Sequence, residues 1–222
     1  MILAVTAGKG GVGKSTVALN LAAELDAVAV DADLAMADLP AGHGPDLHDV
    51  LAGRADPVEA VHDGGAVAVL PCGRSLAGAR AADPTALTDT IEAVAAEYGR
   101  VVIDSPAGLH GDAGLPLLAA EACVVVTCPT EAALADAVRA RELARALDTP
   151  LARVVLNRTE AVDTDADTVA ATLGGPVTHV PESEAVTRAQ RAGLPVAALA
   201  SDAAAARQFA RLAVAVHSAV RS

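Results

Sequence analysis

A single α/β domain, with a mostly parallel sheet and helices on both of its faces, is what the 222-residue sequence predicts. Three observations carry the prediction. Short, continuous apolar runs alternate along the chain with longer segments of helical period, the pattern of strands buried on both faces and of the crossovers that join them. A glycine-rich turn from Gly8 to Gly13 separates the first apolar run from the first helix. Polar residues suited to chemistry fall at the carboxyl ends of apolar runs, where ligands bind in open parallel sheets. These are the glycine turn after the first run, Asp31 and Asp33 after the second, and Asp104 after a Val-Val-Ile run.

The elements follow in order. Residues 2–7 (ILAVTA) are apolar and β-leaning, a first buried strand. Residues 14–25 carry Val17, Leu21 and Leu25 four apart, one face of a helix. Residues 27–30 form a second strand, and two short helices are expected near 46–52 and 57–62. A third strand spans 66–70. A helix over 84–98 has Pro near its start and Gly99 at its close. Residues 101–103 form a strand ending at Asp104. Further strands are expected at 122–127, 153–156 and 177–180, and helices at 131–147, 165–173, 183–192 and 202–220. No internal repeat or linker-like stretch divides the chain, so one domain over 1–222 is expected. Hydrophobic residues are 53% of the chain but aromatics only 1%, so Ala, Val and Leu must fill the core.

The formal net charge is −12, which opposes direct DNA binding, since a phosphate-binding face needs clustered cations. The only lysines are Lys9 and Lys14, both in the glycine loop; every other basic side chain except histidine is Arg. An acidic surface stripped of lysine suits a high-salt cytoplasm, and a halophilic source is expected. Cys72, Cys123 and Cys128 form no CxxC pair and have no metal-ligand spacing, so they read as small residues in a reducing cytoplasm. No apolar run reaches the length of a membrane span. The chain opens directly on a strand, so no signal peptide is expected.

Gly8-Lys9-Gly10-Gly11-Val12-Gly13-Lys14-Ser15-Thr16 contains G-x-x-x-x-G-K-[ST] between a strand and a helix. Glycines let backbone N–H groups turn inward around phosphate oxygens, and the following helix adds its positive N-terminal end. Lys14 is placed to reach the β- and γ-phosphates and the Ser15 hydroxyl to ligate Mg²⁺. The apolar strand ending at Asp104 places a second carboxylate beside that metal. The chain is thus expected to form a P-loop NTPase domain holding a nucleoside triphosphate and Mg²⁺.

The second lysine sharpens this. Lys9-Gly10-Gly11-Val12-Gly13-Lys14-Ser15-Thr16 matches K-G-G-x-G-K-[ST] and resembles the deviant Walker A signature of the MinD/ParA ATPases. Asp31-Ala32-Asp33-Leu34-Ala35 resembles the family's first switch, Asp104-Ser105-Pro106-Ala107-Gly108 its second, and Val154-Val155-Leu156-Asn157-Arg158 and Val180-Pro181-Glu182-Ser183-Glu184-Ala185-Val186 its base pocket. The resemblance runs from residue 2 to about residue 216 and points toward archaeal, particularly haloarchaeal, MinD-like proteins.

It implies a homodimer in the ATP state, with Lys9 reaching across to the partner's phosphates. Asp33 would contact the attacking water, and Asp31 would support the metal shell with Ser15 and Asp104. Asn157 and Arg158 would meet the base, and Pro181 and Glu182 would wall it. The implied activity is slow hydrolysis of ATP to ADP and phosphate, in a cytoplasmic switch that recruits an unidentified protein partner and positions cellular structures. The alternatives are a ParA-type partition ATPase, an Mrp-type metal carrier and a nucleotide-binding scaffold with little turnover.

Three departures stand out. Ala35 replaces the family's switch glycine, and residues 130–136 keep Asp136 but lack the Glu and Ser residues that precede it in MinD. The link around residues 24–27 is shorter than usual. The chain stops at Ser222 without a basic amphipathic tail, so direct membrane anchoring is not expected.

Overall fold

A computed structural model of the chain describes residues 1–35, 37–40, 42–108, 111–159 and 166–221. Its elements run β1 (Ile2–Thr6), α1 (Lys14–Leu25), β2 (Val28–Asp31), α2 (Leu47–Leu51), β3 (Val69–Leu70) and α3 (Leu76–Ala81). A 3₁₀ turn (Pro84–Ala86) then leads into α4 (Leu87–Tyr98), followed by β4 (Val101–Asp104). A second such turn (Gly111–Gly114) leads into α5 (Leu115–Ala119) and then β5 (Ala122–Thr127), α6 (Glu131–Ala146) and β6 (Leu151–Thr159). The last elements are α7 (Ala166–Leu173), β7 (Val177–Pro181), α8 (Glu184–Arg191), α9 (Val196–Ala200) and α10 (Ala204–Val220).

The seven strands make one sheet in the order β3-β2-β4-β1-β5-β6-β7, and every neighbouring pair is parallel. Period-two alternation sorts the side chains between the two faces. Leu3, Val5, Ala29, Val124 and Val126 pack with α1 and with α10 through Phe209, Leu212, Ala213 and Val216. Ile2, Val28, Val30, Val101 and Ile103 face α2 and α4 on the other side, and Ala4, Cys123, Val125, Val154 and Leu156 pack there with Leu117 of α5 and with α6 and α7. Phe209 is a lone aromatic in the buried core, and small side chains let the helices lie close to the sheet.

Several expectations are corrected. Residues 57–62 are a turn ending in an isolated antiparallel bridge from His62 to Val69, not a helix: the Ala60 N–H bonds Asp56 O at 3.2 Å in helical fashion, but the bridge then takes the His62 N–H and C=O and draws the chain into an extended contact. Strand β3 is two residues long where five were expected. Strand β6 runs to nine residues because its two neighbours are staggered, β5 pairing with residues 151–156 and β7 with residues 154–159. Helices α3, α5 and α9 are too short to announce themselves by periodicity. Residue 165, the expected start of α7, lies outside the described residues. The short link after α1 is achieved by Asp26 in the left-handed region (φ 51°), which turns the chain directly into β2.

Candidate nucleotide-binding site

The sheet order places β1 centrally, so the loop that leaves it opens at the middle of the carboxyl edge. Strands β2 and β4 pair with Asp31 opposite Asp104, so two carboxylates stand side by side next to that loop. Gly13 precedes α1 at φ 95°, and no side chain caps the helix, which leaves the first-turn N–H groups free to serve an anion.

Two contacts pull the Val12 carbonyl backwards: the Asn157 amide donates to it at 2.8 Å, and the Cys128 thiol lies 3.6 Å away. A trans peptide points its N–H opposite its C=O, so this anchoring turns the Gly13 N–H to the other side. The brace also explains the glycine, because a Cβ on Gly13 would stand 2.2 Å from the Asn157 amide nitrogen. Gly8 answers to a different neighbour: a Cβ there would stand 1.9 Å from the Asp136 carbonyl oxygen of α6.

Lys14 is buried, and its Nζ lies 2.6 Å from Asp104 Oδ1 and 3.4 Å from Ser15 Oγ. Ser15 donates its hydroxyl to Asp38 at 3.1 Å. Burial pushes the Asp104 carboxyl above the ordinary carboxylate range, against the lowering pull of Lys14; its Oδ2 is buried with no hydrogen-bond partner among the described residues. Asp31 is pushed up to about 7, first by burial, with the nearby Asp104 charge adding to it. It accepts backbone N–H groups from Asp38 (2.8 Å), Leu39 (2.9 Å) and Asp33 (3.3 Å), which lowers it and ties the segment after β2 back to the strand end.

A cleft of about 610 Å³ opens over this floor. Lys9, Gly10, Gly11, Gly13, Lys14, Ser15, Thr16, Asp33 and Arg158 all line it, so most residues singled out from the sequence converge on one space. Arg158 reaches it from the end of β6 with φ at 56°. Val12, Asn157, Asp31 and Asp104 stand behind or beneath the lining, with Asn157 engaged by the loop backbone. Pro181 and Glu182 sit at the end of β7, where the Glu182 N–H meets Thr159 O at 3.3 Å. The Gly108 N–H is bonded to Ala7 O at 3.2 Å.

Asp38, Asp112 and Gln190 also line the cleft; the sequence reading assigned them no role. Asp38 is a third carboxylate in the segment after β2, visible in the sequence beside Asp31 and Asp33. Gln190 arrives only by the packing of α8.

A glycine loop feeding an uncapped helix, with a buried lysine and a strand-end aspartate beneath it, defines a P-loop nucleotide-binding domain. Residues 3–196 match the CobQ/CobB/MinD/ParA nucleotide binding domain family, and the chain belongs to it. It is 35% identical over 228 residues to an uncharacterised ATP-binding protein of Methanocaldococcus jannaschii, covering 96% of this chain and 86% of that protein. Its fold is similar to the cell division ATPase MinD of Pyrococcus furiosus, with a TM-score of 0.90 and 29% identity over 98% of each chain. It also resembles MinD of Pyrococcus horikoshii complexed with Mg-ADP, with a TM-score of 0.88 and 29% identity over 96% of this chain and 93% of that one. Among the described residues, no helix is long and apolar enough to cross a membrane.

Proposed function

We propose that this chain is a MinD-like ATPase that binds Mg-ATP, closes into a sandwich dimer around two nucleotides, and serves as a switch recruiting a protein partner. The observation that carries the reading is the buried Lys14–Asp104 pair at 2.6 Å beneath the glycine loop. A lysine held there exchanges one anion for another when phosphate enters, leaving Asp104 to the metal side of the site.

The donor set fits Mg²⁺. Asp104 offers a buried oxygen with no partner among the described residues, and Ser15 Oγ lies beside Lys14. Among the described residues no group of three or more His, Cys, Asp or Glu could hold a metal ion unaided; Mg²⁺ is commonly bound through one or two carboxylates together with phosphate oxygens and water. Ser15 and Asp104, with Asp31 behind them, would hold it, and it would neutralise charge on the β- and γ-phosphate oxygens.

The backbone of residues 10–16 cradles the phosphates, and Lys14 contacts their β and γ oxygens. Asp33, at the cleft wall, orients the attacking water. That water's oxygen bonds to the γ-phosphorus as the bond to the β-phosphate oxygen breaks, giving ADP and phosphate. Arg158 lies on the base side, with Asn157 behind it and Pro181 and Glu182 as the further wall. Lys9 stands half-buried in the cleft lining and forms no ion pair among the described residues. In a symmetric sandwich it supplies a cation to the phosphates held by the other subunit, the role of an arginine finger.

Titration calorimetry with Mg-ATP tests the site. Lys14→Ala should weaken binding by about 2–5 kcal/mol, the cost of removing one partner of a buried charged contact. Unchanged affinity would overturn the assignment. Phosphate release from the wild type separates an ATPase from a scaffold that binds without turnover.

A further inference from the structure

Behind the segment that carries Asp33 lies an imidazole to which no step above assigns a role. His48, in the first turn of α2, is 2% exposed. Its Nε2 lies 3.1 Å from the Leu34 carbonyl oxygen and 3.4 Å from Cys72 Sγ. A carbonyl oxygen only accepts, so the proton is assigned to Nε2 by its partner. The other ring nitrogen, Nδ1, is buried with no partner among the described residues.

The slot around the ring is made by missing side chains. A Cβ on Gly73 would stand 2.4 Å from His48 Nδ1, and one on Gly78 would stand 3.1 Å from it. The backbone of the loop after β3 and of α3 therefore closes directly onto the imidazole. The enclosure fixes the plane of the ring, and of the two near-isosteric flips that fit it, the one bonded to Leu34 O aims its donor at the residue following Asp33.

We propose that His48 is a positioning residue for ATP hydrolysis, holding the Leu34 carbonyl so that Asp33 presents its carboxylate to the water in the cleft. Asp31 fixes the same segment through the N–H groups of Asp33, Asp38 and Leu39. Leu34 is thus anchored by its carbonyl between residues anchored by their N–H groups. Asp33 supplies the chemistry and touches the cleft; His48 touches neither nucleotide nor water and acts only through the backbone. The proposal rests on the reading of Asp33 as the water-orienting group.

Two substitutions separate position from bulk. Gln in place of His carries a donor at about the reach of Nε2, whereas Asn carries one near Nδ1, short of Leu34. His48→Asn should lower kcat about tenfold, the rate equivalent of roughly one hydrogen bond, with Mg-ATP affinity unchanged. His48→Gln should restore most of the rate. In hydrogen exchange with Mg-ATP present, a peptide spanning residues 31–40 should exchange faster in His48→Asn and return towards wild type in His48→Gln.

Equal kcat in the two variants, or a loss that falls wholly on affinity, overturns the proposal. If wild type shows no turnover, the ATPase reading fails and the exchange arm alone decides on His48; equal protection in all three proteins then overturns it. If His48→Asn does not fold, His48→Gln decides. Wild-type turnover and protection support the role, and loss of both at an unchanged melting temperature refutes it.

Discussion

The three cysteines differ in what the fold does to each. Cys72 and Cys123 are fully buried, and each thiol is pushed up to about 12, chiefly by burial, with the Asp31 charge contributing at Cys72. The thiolate is the nucleophile, so at pH 8 only about one molecule in ten thousand would carry it at either position even with full access. Cys128 is half-buried beside the glycine loop. Burial pushes it up too, while Arg158 and Lys9 pull it down. Iodoacetamide on the native protein at pH 8 should therefore give one adduct, at Cys128, by intact-mass and peptide spectrometry. Adducts appearing at Cys72 or Cys123 at a comparable rate would contradict the packing. At this scale the sequence was informative where a motif fixes position by spacing: Lys9, Lys14 and Ser15 line one cleft, with Asp104 beneath it. It was silent on His48 and Gln190, whose neighbours are set by packing between elements far apart in the chain.

Between elements, the tightest approach to the site is α6 against the glycine loop. Gly8 has no room for a side chain because the Asp136 carbonyl occupies its place, whereas a Cβ on Gly10 would meet nothing within 4 Å. The same substitution in one loop should thus have two outcomes. Gly8→Ala forces α6 outward and should cost about 2 kcal/mol, as overpacking does, or roughly 4–8 °C in melting temperature for a domain of this size. Gly10→Ala should melt within about 2 °C of wild type, since an exposed substitution with no contact is nearly neutral. Calorimetric melts of the two variants check this; equal shifts would mean that α6 does not rest on Gly8. The departures in residues 130–136 acquire a structural context here. Thr130 caps α6 by accepting the Ala133 N–H at 3.2 Å, and Asp136 pairs with Arg139 at 2.6 Å. The segment therefore keeps a well-formed helix start and its close contact with the loop.

For the whole molecule, the question is whether Lys9 acts within its own subunit or across a dimer. Lys9→Ala retains Lys14 and the loop backbone, so it should bind Mg-ATP yet lose hydrolysis by about 10³- to 10⁵-fold, the range for a transition-state cation supplied in this way. Asp33→Ala should also bind and turn over slowly. In a mixed dimer, the Lys9→Ala subunit contributes an intact Asp33 site and the Asp33→Ala subunit contributes the lysine. Phosphate release should therefore recover when the two inactive proteins are mixed, and a titration should peak near equal amounts. Wild-type hydrolysis by Lys9→Ala alone would remove the dimer mechanism.

Alternation of apolar runs with helical segments was sufficient to read the architecture, because strands buried on both faces must be continuously apolar and parallel neighbours need helical crossovers. The phosphate loop was legible for a similar reason: its function lies in consecutive backbone groups, so its requirement for glycines and one lysine is written locally. Short elements were not legible. Residues 57–62 have the length and composition of a helix, but the bridge to Val69 takes their end into an antiparallel contact. Asp31 and Asp33 look alike in the sequence, both carboxylates just after a strand. Only the fold separates them, turning one inward to hold three backbone N–H groups and the other toward the cleft. Asn157 was expected at the base; tertiary packing brings the end of β6 against the loop from β1, and its amide meets the Val12 carbonyl. Local chemistry is carried by consecutive residues and survives in the linear order. Orientation and burial come from contacts between distant segments, which only the closed fold specifies.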